Sequence, residues 1–323
     1  MNSVISSELG SRSPQRHYFP IKHATTIVPI QVQTNHINIV SRTFDLWWID
    51  GIEIPKNKTW GDLTNLCIRI GEPANVNYRI PLQPLLTIDR DRIYDNFWRF
   101  PMNKLFEMSI PIIALPYHQV SFQIEAKDLF EIKIYQGCTY LDTESRRSLA
   151  ESTKEIKLRY ISQPFRFNGK IINMERPINF ISTGFILYAN ELQNLKIFLD
   201  GNMLIEYDNT MLKAYVKRYN GWKYTEKHQK ILHAECNKIG VPYDVIGLIE
   251  NEIHKNSEDW WWIPFAPAED PWKWDFNDLN VNMSLVDSVR IEVEPEQQNA
   301  EVYFMNYNLM MVMSGMAGMK FIA

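Results

Sequence analysis

A chain of 323 residues with 34 basic and 38 acidic side chains (net charge −4) has room for two domains and presents no global field for nucleic acid or an anionic membrane. Its 45% hydrophobic and 22% charged fractions exclude intrinsic disorder, and its 13% aromatic content suits β-structure. Three scattered cysteines, Cys67, Cys138 and Cys236, exclude a disulfide framework and point to assembly in a reducing compartment.

Residues 1–20 read as a flexible arm. The opening MNSVISSELGSRSPQRH lacks the apolar core of a secretory signal, and Arg12 and Arg16 are too few for a genome-binding tail. From Thr25 the text turns to β-structure: TTIVPIQVQ alternates Ile30 and Val32 with Gln31 and Gln33, and HINIV, FDLWWIDGIEIP and LCIRIG follow. Asp50-Gly51 is expected to be a turn. Residues 82–100 are irregular, a short helix or an aromatic-bearing loop. Two strands then break near Pro116, and LFEIKIYQG supplies another.

Tyr140–Tyr160 interrupts this pattern. Asp142 is a plausible N-cap, and neither Gly nor Pro occurs before Pro164, which predicts a connector helix over residues 139–160. Beyond it FRFNGKIINM, PINFISTGFILYAN, LKIFLDG and NMLIEY resume the strands, with a hairpin turn at Asp200-Gly201-Asn202. A helical insert is expected over about 209–255. Leu212, Tyr215, Val216 and Tyr219 share one helix face, and Gly240 ends a second helix.

DWWWIP, with both faces apolar, predicts a strand buried on both sides. In EVYFMNYNLMMVMSG, Tyr303, Met305, Tyr307, Leu309, Met311 and Met313 form one apolar face, with Asn306 and Asn308 on the other. A strand therefore explains the uncharged run Val302–Met319 better than a membrane span. Seven or eight short strands on each side of the connector predict an all-β protein. Its units are two tandem eight-stranded jelly rolls, residues 21–138 and 161–323.

Motifs of chemistry are sparse. His228, His233 and Cys236 lie too far apart around a helix to supply more than two metal ligands, so no metal is expected. No Gly-x-Ser-x-Gly elbow or His-Glu-x-x-His occurs, and Ser314-Gly315-Met316-Ala317-Gly318 lacks the lysine of a phosphate loop. Neither catalysis nor a cofactor is expected. Arg146 and Arg147 are candidates for a subunit contact or a solvated helix face. Trp272 and Trp274, in a proline-bounded loop, are candidate interface anchors.

Four stretches resemble the double jelly-roll capsid proteins of nucleocytoplasmic large DNA viruses. They are IPIIALPYHQV at 110–120, CTYLDTESRRSLA at 138–150, RPINFISTGFILYAN at 176–190 and MNYNLMMVMSGMAGMKFIA at 305–323. They occur in the family's order, and Met313-Ser314-Gly315-Met316-Ala317-Gly318 is the most specific. The family's Ser-Gly-Ser-x-Asn-x-Ser-Arg-Ile-Asp motif is reduced to Asn282-Met283-Ser284-Leu285-Val286-Asp287, with Leu285 in place of the arginine.

The resemblance implies a structural capsid protein, major or minor, whose homotrimers form pseudo-hexagonal capsomers. Its partners would be itself and other capsid proteins, in a virion assembled in the host cytoplasm, with an inner virion membrane as a neighbour. Two alternatives are a scaffold-like paralogue lost from the mature particle and a jelly-roll module that binds glycans.

Overall fold

The computed structural model describes residues 26–31, 36–40, 45–70, 76–106, 109–115, 119–151, 153–175, 181–220, 233–242, 245, 259–265, 280–314 and 316–319. Residues 1–25, and with them the expected arm, lie outside that set.

The first half carries β1 (Thr26–Gln31), β2 (His36–Val40), β3 (Leu46–Glu53), β4 (Leu63–Ile70) and β5 (Val76–Pro81), followed directly by helix α1 (Leu82–Ile88). Then come β6 (Ile93–Tyr94), β7 (Phe97–Arg99), helix α2 (Met102–Leu105), β8 (Ile110–Pro111), β9 (Gln119–Ala126) and β10 (Glu131–Thr139). One sheet has the order β1-β10-β3-β7-β6, with β8 also on β3; the other has the order β2-β9-β4-β5. Strands distant in sequence thus pair within two facing sheets, which is jelly-roll connectivity. Between the sheets lie Trp47, Trp98, Phe100 and Phe122 in edge-to-face contacts, with centroids 5.0–6.2 Å apart.

Asp50-Gly51 is not a turn. β3 runs straight through it, and the register shift opposite Tyr135 and Gln136 leaves Asp50 as the extra residue of a bulge. Gly51 is there because the Phe97 ring lies on it: a Cβ would sit 2.2 Å from the ring. Gly137 does the same beneath the Trp48 indole.

The connector helix is shorter than expected. α3 covers Thr143–Glu151, and β11 begins at Lys154 and runs to Ile161. Asp142 does cap α3, its carboxylate accepting the Ser145 amide at 2.7 Å. The second part is a strand because Ile156 and Leu158 alternate with Glu155 and Lys157, and their burial needs period two.

The second half has β12 (Phe165–Glu175), β13 (Ile181–Ala189), β14 (Asn194–Leu199), β15 (Asn202–Tyr207), helix α4 (Asn209–Tyr215), β16 (Lys217–Asn220) and β17 (Asp259–Pro264). β18 (Val281–Asn282), β19 (Ser288–Met313) and β20 (Met316–Met319) complete it. The expected hairpin joins β14 to β15, with Asp200 and Gly201 at φ 48° and 80°.

All these strands connect as a single sheet because β12 and β19 are long enough to serve two. The C-terminal part of β19 lies between β11 and β13, with β17 beyond β13 and β16 beyond that. Its N-terminal part lies between the end of β12 and β14, with β15 outermost. The changeover falls where the β12–β19 register shifts at Gly169, at φ 100°, and at Gln297, which is buried and accepts the Asn190 amide. Among the described residues a five-stranded layer and a four-stranded layer result, in the same connectivity as the two sheets of the first half, around Phe185, Leu187, Val302 and Phe304.

Two further expectations need correction. The helix expected to carry Leu212, Tyr215, Val216 and Tyr219 on one face ends at Tyr215; Val216 turns the chain into β16, which pairs with β17. Residues 233–238 are helical, and Gly240, at φ 72°, follows them as expected. The rest of the insert lies largely outside the described residues. Asn306 and Asn308 do not face water: they are 0% and 1% exposed. β19 has apolar material on both faces, because the outside of its sheet packs against the first roll.

Candidate functional site

The distinctive feature is the seam between the rolls. Alternate residues of the second roll's first sheet divide between two cores. Phe185, Leu187, Trp261, Ile263, Val302 and Phe304 fill the second roll, whereas Ile186, Trp260, Trp262, Tyr303 and Met305 join the core of the first. β17, expected to be buried on both sides, is so because it forms the wall between the rolls. Arg218 lies over the Trp261 ring, 5.0 Å from its centroid.

Polar anchors hold the connector and the seam at two places. Asp45, 3% exposed, begins the first. Its Oδ2 accepts the Leu141 amide at 2.7 Å and Arg146 Nε and Nη2 at 3.0 and 2.7 Å. This forked pairing ties α3 to the first roll.

Asp89 begins the second, its carboxylate wholly buried. It accepts Trp98 Nε1 at 2.8 Å and Lys104 Nζ at 3.0 Å, with Arg92 Nε 3.7 Å away. Burial pushes this carboxyl above its ordinary range, against the pull of Lys104 and the Trp98 bond. The Lys104 carbonyl in turn accepts Arg159 Nη1 at 2.8 Å, and Arg159 reaches it from β11 while 3% exposed. A backbone bridge between Phe106 and Leu158, and Gln163 Nε2 donating to the Arg79 carbonyl at 2.5 Å, close the seam.

Of the residues singled out in the sequence, Arg146 is engaged by Asp45 of the same chain, while Arg147 beside it is exposed. Trp272, Trp274 and His228 lie outside the described residues. His233 and Cys236 share a helical turn, and no group of three or more His, Cys, Asp or Glu able to hold a metal occurs among the described residues. Asp45, Asp89, Lys104 and Arg159 escaped sequence reasoning, since single charges separated by up to 101 positions give no local signal.

On the outer side of the first roll, the Glu125 carboxylate gathers Arg79 Nη2 at 2.7 Å, Asn65 Nδ2 at 2.8 Å and Cys67 Sγ at 3.5 Å. Burial opposes ionisation there, but Arg79 and Asn65 prevail and hold Glu125 below its ordinary value of 4.5. Burial and the Glu125 charge push the Cys67 thiol up to about 11, so it remains protonated and inert.

On the second roll, a groove of about 540 Å³ runs between β12, β14, β15 and α4. Where the family motif would place an arginine, Leu285 is 79% exposed. Among the described residues, no helix is long and apolar enough to cross a membrane.

Neither a family model nor a curated protein matches the sequence. Solved structures do match. A chain of the quasi-atomic model of the PBCV-1 virus capsid superposes with TM-score 0.53 and 14% identity, over 93% of this chain and 97% of that one. PBCV-1 VP54, fitted into a reconstruction of the virophage Sputnik, gives TM-score 0.56 at 13% identity, over the same shares. The fold is the double jelly roll. At 93% of this chain each match extends beyond either roll alone and takes in residues of both.

Proposed function

We propose that the chain is a structural protein of a viral shell, assembling through its own copies and with other capsid proteins into trimeric, pseudo-hexagonal capsomers. The supporting observation is the near full-length agreement in fold with a chain of the PBCV-1 virus capsid. The physics is compatible. Jelly rolls limit exposed strand edges, and a wall buried on both faces, with Arg159 bonded across the seam and Arg146 holding the connector, favours two rolls that act as one block. A net charge of −4 spread over 323 residues limits repulsion between copies. Arg147, Trp272 and Trp274 remain the proposed contact residues.

The experiment is to purify virions from infected cells and quantify this chain against the most abundant coat protein. Many copies per particle are expected. Abundance in infected cells with none in the mature particle would instead favour a scaffold.

A further inference from the structure

The two rolls repeat one another beyond their sheets. In each, the outermost strand of the second sheet runs directly into a seven-residue helix: β5 into α1, and β15 into α4. In the first roll this unit is covered. Leu82, Leu85, Leu86 and Ile88 of α1 are buried, α1 touches β16 and β5 touches β11, so the covering element is the outer face of the second roll's first sheet.

In the second roll the equivalent unit has no such cover among the described residues. Only Leu212 of α4 is buried; Met211, which lines the groove, is 40% exposed, and Met203 and Leu204 of β15 and Tyr215 of α4 are 54%, 38% and 49% exposed. The covering face also has a counterpart that no described residue of the other roll covers. On the first roll, Phe97 and Tyr135 meet edge to face at 5.4 Å on the outside of β3, β7 and β10, beside Tyr94 at 61% exposure. Gly51 keeps that surface flat by leaving room for the Phe97 ring. The charges are complementary: Arg99 borders the aromatic patch, where Lys133 is paired with Glu53, and the groove carries four acidic side chains, Glu206, Asp208, Glu292 and Glu294, against Lys170 and Lys196.

We propose that the groove formed by β15 and α4 receives the outer face of β3, β7 and β10 from a second copy of this chain. The contact between copies then repeats the contact between rolls. It is head to tail, uses different surfaces on the two copies, and closes into a ring if the rotation allows. The proposal rests on the shell-building function above and names the surfaces through which it acts.

The test uses the full chain in two variants, Tyr94→Cys and Met211→Cys, each at an exposed position, with wild type as the control for the native thiols. Under mild oxidation or with a short bis-maleimide, a covalent dimer is expected in the mixture and in neither variant alone. Met211→Glu is expected to raise the concentration for half-assembly about tenfold, as loss of a contact anchor does. Wild-type chain that assembles while the mixture stays uncrosslinked and Met211→Glu assembles normally would overturn these surfaces and leave the shell-building function standing. Chain that stays monomeric at every concentration would overturn both.

Discussion

Replacing Asp45 by alanine tests whether Arg146 is spent inside the chain. The carboxylate is 4% exposed and accepts three hydrogen bonds, one from the Leu141 amide and two from Arg146. Leu141 is itself buried, so its orphaned amide costs about 1–3 kcal/mol. The Arg146 side chain is 48% exposed and can turn to water, so the lost pair adds only about 1 kcal/mol. Asp45→Ala should therefore lose about 3 kcal/mol in urea unfolding, Arg146→Gln about 1, and the double-mutant cycle should show coupling of about 1. Assembly of Arg146→Gln should be nearly normal. Arg146→Gln with unchanged stability and abolished assembly would refute the assignment and return the residue to a contact between copies.

Other perturbations follow from the same geometry. Trp262→Ala empties a fully buried site in the wall between the rolls and should cost about 3–5 kcal/mol, read by chemical unfolding. Gly137→Ala drives a Cβ to 2.2 Å from the Trp48 indole and should cost about 1–3 kcal/mol, with a shifted tryptophan emission maximum. Glu125 is held below 4.5 when folded, so its contribution is complete above that pH and is lost as pH falls through the depressed native value. Glu125→Gln should flatten the acid limb of the stability profile below about pH 4.5 and leave its alkaline side unchanged.

Much of the fold was legible because strands announce themselves by alternation. Asp200-Gly201 fixed a hairpin, Asp142 marked the start of a helix, and Trp260–Ile263 declared burial on both faces. What escaped depends on neighbours distant in sequence. Lys154–Ile161 carries no helix breaker, so only its partner β19 decides that it is a strand. Asn306 and Asn308 read as a solvent face by alternation, but β19 separates two cores and is buried on both faces. Gly51 signals a turn by composition, whereas its role is to make room for Phe97, some 46 positions away. The ionic anchors were invisible for the same reason: Asp45 and Arg146 lie 101 positions apart and meet only when α3 folds back on the first roll.

The most direct test of the shell-building function is sedimentation velocity of the full chain across micromolar concentrations. The account predicts a discrete species of three times the 38.1 kDa chain mass, formed cooperatively as concentration rises. A single 38.1 kDa species throughout would contradict it.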